Sequence, residues 1–449
     1  MIRSLAVVGT AALLSSFVHL PAYAAVVGVS SVSSLQTAVD TARPGQKVVL
    51  KAGLHRVDQP VKITRSGITI AAASVGDTVL TGGRAFEFGD VKSVTIEGFV
   101  FAGESTLDVP PQAQATRITR NTYSGNKDGA SLSVSADDVQ IDHNTFQNRT
   151  NEGVYLQITG PGSEIAKRSH IHHNYFYNHQ FTGANGGESI RLGYSHKQSK
   201  SANAIVEYNL FEKADGDAEA ISIKSSDNTV RYNTIRNSKG YIVLRHGHRT
   251  TVEGNLLFNS GIRFHGNDHK IINNYVESTK DRAIVFGSGK EADSGPTSKL
   301  HDRPDRVTVA FNTLVGTGAV VDSDGGDFKP KDCVLANNVI KGSSGGVVSM
   351  HSGSTVKYEG NVIWGGTGGS MPSSGYKSAD PKLVRDANGL LRLASGSPAI
   401  DASAGTYSYV TRDFDPQSRS GKPDVGADEY SSSAVRKPLT KADVGVSAP

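Results

Sequence analysis

The sequence predicts an all-β fold, a single-stranded right-handed parallel β-helix that forms one solenoid with a short N-terminal capping helix. A short pattern of alternating apolar residues next to an Asn recurs along the chain. From Asn209 to Asn274 the copies are 24, 22 and 19 residues apart, which is the length of one coil. The composition, with 49 Gly and 7% aromatic residues, suits many short strands joined by turns.

The repeat accounts for most of the chain. Nine clear copies lie at 139–146, 171–176, 205–211, 230–235, 252–257, 271–276, 307–312, 334–340 and 356–363. In a stacked solenoid the equivalent Asn residues lie above one another at the strand spacing of about 4.8 Å, where their amides can bond along the stack. Asn suits such a bend because it tolerates left-handed backbone angles.

Two other repeat architectures fit less well. Leucine-rich repeats require a regular Leu pattern, and propeller blades require several strands in about 40 residues. Residues 34–40 predict a short helix that covers the open first coil. The longer gaps near 177–203, 278–305 and 322–331 predict insertions between coils, which commonly wall a binding cleft.

The chain ends suggest an exported protein. Residues 1–24 have a positive start at Arg3, an apolar run and a small-x-small cleavage pattern, so they predict a signal peptide, with an uncleaved membrane anchor as the alternative. We therefore expect a secreted or periplasmic protein without a membrane partner after cleavage. Residues 25–430 form the predicted β-helix domain. Residues 431–449 lack apolar periodicity and predict a flexible tail.

Charge and cysteine content exclude several classes of protein. The formal net charge of +4 is mild and lacks the basic stripes of nucleic-acid-binding proteins. Cys333 is the single cysteine, so no internal disulfide can form. We expect a monomer whose stability comes from packing and any bound metal.

Two consecutive coils hold the densest group of ionisable residues. Lys224 precedes Asn233 by nine residues and Arg245 precedes Asn255 by ten, so both cations are predicted on adjacent rungs of one face. Strand alternation would place Lys224 opposite Asp217 and Glu219, so a turn or bulge is expected between them. The alternative is that the carboxylates simply pair with the cations on a solvated surface.

Two neighbouring cations repel, and an acidic ligand gives a reason to place them together. Removing the C5 proton of a uronate builds negative charge beside a carboxylate, which a cation must offset. Calcium held by Asp217, Glu219 and a carbonyl-bearing side chain would serve, since it prefers oxygen ligands. Lys224 would then be the base, and Arg245 would steady the leaving oxygen.

Five segments of the chain carry a family resemblance. They are residues 185–193, 217–219, 223–225, 231–234 and 244–247. Together they resemble polysaccharide lyase family 6, the family of alginate lyases and chondroitinase B. The resemblance implies Lys224 as base, Arg245 as acid, and Asn185, Asp217 and Glu219 as Ca²⁺ ligands. One departure is Asp217, because the compared members have the longer Glu there, which can lower calcium affinity.

The expected substrate is an acidic polysaccharide, and a groove for it needs repeated cationic and hydrogen-bonding contacts. Candidates are Glu188, Arg191, Tyr241, His246, Arg263, His265 and His269. A packing role is an equal alternative for each His, and Arg263 is the strongest candidate. The expectation is a lyase acting on alginate. Alternatives are a chondroitin or dermatan sulfate lyase, a β-helical glycoside hydrolase, or a carbohydrate-binding solenoid.

Overall fold

A computed structural model describes residues 25–127, 129–183, 185–278, 282–292, 295–433 and 435–449. Across these residues it confirms a right-handed parallel β-helix. The predicted signal peptide, residues 1–24, lies outside the described residues. No helix in the described part of the chain is both long enough and apolar enough to cross a membrane.

Three parallel sheets run along the solenoid, and a typical coil contributes one strand to each. Sheet 1 has 14 strands: Val26–Val29, Lys47–Leu50, Thr69–Ala72, Thr95–Glu97, Arg117–Thr119, Gln140–Asp142, His170–His172, Ile205–Glu207, Thr229–Arg231, Thr251–Glu253, Lys270–Ile272, Thr308–Ala310, Cys333–Ala336 and Val356–Glu359. Sheet 2 also has 14: Gly53–Val57, Thr78–Gly82, Val100–Ala102, Thr122–Ser124, Thr145–Arg149, Tyr175–His179, Leu210–Ala214, Thr234–Arg236, Leu256–Phe258, Tyr275–Ser278, Thr313–Gly316, Val339–Lys341, Asn361–Trp364 and Tyr376–Ser378.

Sheet 3 is shorter and bears the candidate site. Its ten strands are Leu107–Val109, Leu132–Val134, Leu156–Ile158, Ile190–Gly193, Glu219–Lys224, Tyr241–His246, Ile262–Phe264, Ile284–Phe286, Val321–Ser323 and Val348–Ser349. Two small pairs complete the β-structure: Val61–Ile63 with Phe86–Phe88, parallel, and Leu383–Arg385 with Leu391–Leu393, antiparallel. Single 3₁₀ turns lie at Ser195–Lys197 and Ser373–Gly375.

The predicted capping helix spans Val32–Thr41. It begins where the Ser31 hydroxyl accepts a hydrogen bond from the Ser34 backbone N–H, which satisfies a donor that the first turn leaves free. Leu35 and Val39, four residues apart, are buried against the first coil. The helix thus covers an end of the solenoid whose apolar core would otherwise face water.

The predicted Asn stack is confirmed. At each step, the side-chain oxygen of one Asn accepts from both the backbone and the side-chain N–H of the Asn on the preceding coil, as between Asn209 and Asn233 at 3.0 Å. The ladder comprises Asn121, Asn144, Asn174, Asn209, Asn233, Asn255, Asn274, Asn312, Asn338 and Asn361. These side chains are buried, so each bond replaces water that the core excludes.

Aromatic rings form a second stack inside the solenoid. Phe101, Tyr123, Phe146, Phe176 and Phe211 lie on successive coils of sheet 2, with ring centroids 4.8–4.9 Å apart. All five are fully buried, so one inward position contributes a continuous apolar column. The ring spacing equals the strand spacing, because parallel in-register strands place equivalent side chains directly above one another.

The expectation of a flexible tail at 431–449 is wrong for the residues that the structure describes there. Val444 is buried against Tyr175 and Leu210 of sheet 2. Arg436 is half-buried, with its guanidinium 4.7 Å from the Tyr232 ring centroid. Gly445 donates its N–H to a carbonyl of the adjoining turn. Sequence periodicity missed this segment because its contacts involve single side chains rather than a repeated face.

Candidate active site

The outward face of sheet 3 is built by strand alternation. On the central strands, the inward positions hold buried Ile, Leu and Phe, so the intervening residues point outward. Register places one outward residue of each strand in a column: Gln157, Arg191, Ser222, Val243, Arg263, Val285 and Asp322. Polar and charged side chains therefore line this face along the solenoid axis.

Lys224 and Arg245 lie at the ends of neighbouring strands of this sheet. Buried Ile223 and Leu244, which immediately precede them, are paired in register, so the next residue of each strand turns outward. Two register shifts occur in the pairing of these strands. One follows Glu219, and the other pairs Lys224 with His246. The predicted adjacent rungs and the predicted bulge are both present.

Each of these cations has a buried carboxylate beside it. The Lys224 ammonium lies 3.4 Å from Oε1 of Glu188, and Arg245 Nη1 lies 3.0 Å from Oε1 of Glu219. Glu188 also accepts two hydrogen bonds from Arg191. Because these carboxylates are almost without solvent exposure, the pairs hold the long cationic side chains in defined positions.

A cavity of about 640 Å³ opens on this face. Its lining residues are Asn185, Asp217, Ala218, Glu219, Lys239, Tyr241, Val243, Arg245, Arg263, Arg282 and Val285. A second cavity of about 520 Å³ lies towards the N-terminal coils, and Gly186, Arg191 and Tyr194 contribute to it. The two cavities have neighbouring residues on their walls, so they form successive parts of one groove.

The three residues that the resemblance implies as metal ligands all line the larger cavity. Asp217 Oδ2 accepts from the Gly186 N–H at 2.8 Å, which fixes the carboxylate against the loop that carries Asn185. Burial raises the pKa of Asp217, and burial also raises that of Glu219 against the opposing effect of Arg245. A cation would offset this cost, and amide and carboxylate oxygens suit Ca²⁺. The residues present therefore fit the ion.

Three of the proposed substrate contacts, Glu188, His265 and His269, have buried side chains. Glu188 is inside, paired with Arg191 and Lys224. His269 accepts from the Thr250 N–H through Nδ1 and donates to the His265 carbonyl through Nε2. His265 is fully buried, and burial holds its pKa well below the usual range. The structure thus places the two histidines in the packed interior and Glu188 beside two cations.

The remaining proposed contacts have accessible positions or border the site. Arg191, Tyr241 and Arg263 line the cavities. Arg263 Nη2 lies 2.7 Å from Asp324, and the Tyr241 hydroxyl donates to a backbone carbonyl at 2.9 Å, so both are held in place. His246 is also buried, at the border of the site, and burial lowers its pKa to about 3, so its ring is neutral at physiological pH.

Sequence reasoning missed three residues of the site. Lys239 and Arg282 line the larger cavity, and His301 has its ring centroid 4.6 Å from those of His246 and His265. All three lie between strands, outside the repeat that located the others. The sequence offers one signal for these three residues. Each is a cation or a His in a segment between strands, close to an edge of sheet 3.

The insertions meet beside this site. Gln198 lies in the insertion that follows the sheet 3 strand Ile190–Gly193. Its Nε2 donates to the carbonyls of Ser298 at 2.9 Å and Leu300 at 3.2 Å. The Leu300 carbonyl also lies 3.2 Å from Nδ1 of His246. Two insertions about 100 residues apart in sequence thus form a joined wall along one border of the groove, as their position predicted.

Comparison with known proteins places this chain in a family whose solved members are parallel β-helices. The family model described as chondroitinase B matches residues 29–343. The chain therefore belongs to the chondroitinase B family, which includes the family 6 alginate lyases. A search of curated proteins finds no match.

Solved structures agree on the fold. The PL6 family alginate lyase AlyGC is 25% identical, with a TM-score of 0.73, covering 83% of this chain. The chain spans only 56% of AlyGC. A mannuronic acid specific family 6 lyase from human gut microbiota is 23% identical (TM-score 0.70; 78% of this chain, 90% of that one). Pedsa3628 from Pseudopedobacter saltans, a PL6 family polysaccharide lyase, is 18% identical (TM-score 0.68; 94% and 99%).

Proposed function

We propose that this protein is an exported polysaccharide lyase that cleaves alginate by β-elimination. The observation that carries the proposal is the position of Lys224 and Arg245 on neighbouring strands of one outward face. Arg245 lines a cavity that also contains Asn185, Asp217 and Glu219. A base, an acid and a set of hard oxygen ligands beside one groove are the groups that elimination from a uronate requires.

The reaction assigns a role to each cation. Neutral Lys224 takes the C5 proton of the uronate, the C5 electron pair forms the C4–C5 double bond, and the C4–O glycosidic bond breaks. Arg245 donates a hydrogen bond to the leaving oxygen and delivers or relays its proton. When bound to Asn185, Asp217 and Glu219, Ca²⁺ would neutralise the carboxylate next to C5. Glu188 keeps the Lys224 ammonium in place between turnovers.

Alginate is the substrate that the relatives favour, since AlyGC and the gut microbiota enzyme are described as alginate or mannuronic acid lyases. Chondroitin or dermatan sulfate is the second candidate, because the matching family model is named for chondroitinase B. The cations Arg191, Arg263 and Lys239 along the groove suit either polyanion.

The test is an ultraviolet assay of the purified protein on polymannuronate, polyguluronate and dermatan sulfate. Only elimination creates a conjugated double bond, so the ultraviolet absorbance should increase when the wild-type protein acts on alginate. With the Lys224→Ala and Arg245→Ala variants, the rate of this increase should be no higher than the background rate. Lys62→Ala, at an exposed lysine of the N-terminal coils that lines neither cavity, is the matched control and should retain full turnover. Circular dichroism confirms that each variant is folded.

Three results would contradict the proposal. Full turnover by a folded Lys224→Ala variant would remove its role as base. New reducing ends without ultraviolet absorbance would indicate a hydrolase. Binding of alginate without any product would indicate a carbohydrate-binding solenoid.

A further inference from the structure

Four of the 14 histidines lie together on sheet 1 and its following turn, away from the candidate active site on sheet 3. His170 and His172 are two residues apart on one strand, so both side chains point outward, with ring centroids 4.3 Å apart. His173 follows in the turn, and the His143 ring stacks on it from the preceding coil at 5.1 Å. The polysaccharide chemistry proposed above uses none of these rings.

The closest approach within this histidine patch is between two ring nitrogens. Nδ1 of His172 lies 2.9 Å from Nδ1 of His173. Two metal–nitrogen bonds of about 2.0–2.1 Å that meet at a right angle place their nitrogens about 2.9 Å apart. The pair therefore already has the separation of neighbouring ligands in a square or tetragonal site, the geometry that Cu²⁺ prefers.

Carboxylates on the flanking coils hold the outer rings of the patch. Asp142 and Glu207 occupy the same outward column as His172, one on each adjacent strand. Asp142 Oδ2 lies 2.9 Å from Nδ1 of His143, and Glu207 Oε1 lies 2.7 Å from Nε2 of His170. Carboxylate–imidazole bonds of this kind fix ring orientation around protein metal sites.

The rings of the patch are accessible to solvent. All four histidines are partly exposed, so an ion can reach them from solvent.

We propose that His172 and His173 form a binding site for a divalent transition-metal ion, with Cu²⁺ bound most tightly, through their two Nδ1 atoms. Imidazole nitrogens select such ions over Ca²⁺, so this site is separate in place and in chemistry from the oxygen site of sheet 3. His170 and His143 flank the pair, with ring centroids 4.3 Å from His172 and 5.1 Å from His173, respectively.

The bound state requires one proton to move. Gln140 Nε2 donates a hydrogen bond to Nε2 of His172 at 3.1 Å, so the His172 proton lies on Nδ1, where it bonds Nδ1 of His173. In the metal-bound state both Nδ1 atoms give a lone pair to the ion. The His172 proton then resides on Nε2, where Gln140 accepts it through Oε1 after its amide turns over. No net proton is released.

The test uses the untagged protein, freed of metal with a chelator and titrated with Cu²⁺ by calorimetry. We expect one tight equivalent per chain, at least ten-fold weaker binding in His172→Gln and in the His172→Gln/His173→Gln double variant, and no change in His55→Gln. His55 is a histidine of the first strand of sheet 2 that contacts the Lys51 carbonyl. Electron paramagnetic resonance of the wild-type complex should show at least two nitrogen ligands, and this result does not depend on variants folding.

Excess Ca²⁺ should leave the Cu²⁺ affinity unchanged. Equal affinity in the folded His172→Gln variant, no wild-type binding tighter than about 100 μM, or a spectrum without nitrogen ligands each overturn the proposal. All of these readouts are independent of catalysis, so they hold whether or not the protein is a lyase.

Discussion

The ammonium of Lys224 lies 3.4 Å from Oε1 of Glu188, a carboxylate that is 0% exposed. Glu188 lies just before the sheet 3 strand Ile190–Gly193 and is also paired with Arg191. One buried anion therefore contacts two cations on this side of the solenoid. A buried charge without its partner costs free energy, so the Glu188 carboxylate favours the conformation in which Lys224, the proposed base, lies beside it.

We expect Glu188→Gln to lower kcat at least ten-fold with a smaller effect on KM, because Lys224 and Arg191 lose the charge that holds them in position. Steady-state ultraviolet assays on the preferred substrate measure both constants. Glu104→Gln, at an exposed turn, is the control. Wild-type kcat in a folded Glu188→Gln variant would show that the ion pair has no role in turnover.

Chelation should reveal the proposed calcium site. Treatment with EDTA is expected to reduce turnover at least ten-fold, and Ca²⁺ should restore it, because burial raises the pKa of Asp217 and of Glu219 and a bound cation would offset the cost of their charges. Asp217→Asn should need more Ca²⁺ for half-maximal activity. Activity that survives exhaustive chelation would make the acidic pair purely structural.

The Asn ladder should be a principal source of stability. Asn233→Ala removes side-chain bonds to Asn209, Asn255 and two backbone carbonyls, and leaves buried groups unpaired. We expect a loss of about 2–5 kcal/mol in the free energy of unfolding, measured by denaturant titration. Asn388→Ala, at an exposed turn, should change it by less than about 0.5 kcal/mol. Equal effects of the two substitutions would contradict a structural role for the ladder.

Removal of the C-terminal segment should destabilise the solenoid. A chain that ends at Ser433 loses the burial of Val444 and the contact of Arg436 with Tyr232, and should unfold at a temperature several degrees lower. Lys441→Ala, at an exposed position of the same segment, should unfold at the wild-type temperature. An unchanged melting temperature after truncation would show that this segment does not stabilise the solenoid.

Stability should depend on pH through Asp428. Its carboxyl group is grouped with Asp413 and Asp415, and burial raises its pKa to about 7 although Arg392 opposes the shift. The unfolded pKa is about 3.9, so between these values the folded state binds more protons, and the resulting stabilisation is lost as pH rises through 7.

Asp428→Asn removes this titration. The decrease in unfolding free energy between pH 5 and pH 8 should therefore be smaller than in the wild type by about 1–3 kcal/mol. Denaturant titrations of both proteins across this range measure the difference. Parallel stability curves would mean that Asp428 is ionised throughout.

The repeat made much of the fold predictable. An Asn at each coil specifies a bend, its amide bonds the next Asn, and the apolar alternation beside it specifies which side chains face inward. The same repeat fixed the placement of Lys224 and Arg245, because both are counted from a ladder Asn on neighbouring coils.

Burial and long-range contacts were not readable in the same way. His265 and His269 have the residue type of a binding site, yet they lie in the packed interior. Gln198 meets Ser298 only because the insertions of two separate coils fold over one border of sheet 3. The sequence by itself determined the coil and the rung of each repeat residue, since these follow from local periodicity. The tertiary structure alone decided which polar side chains face the groove, since this depends on the paths of irregular segments that no repeat constrains.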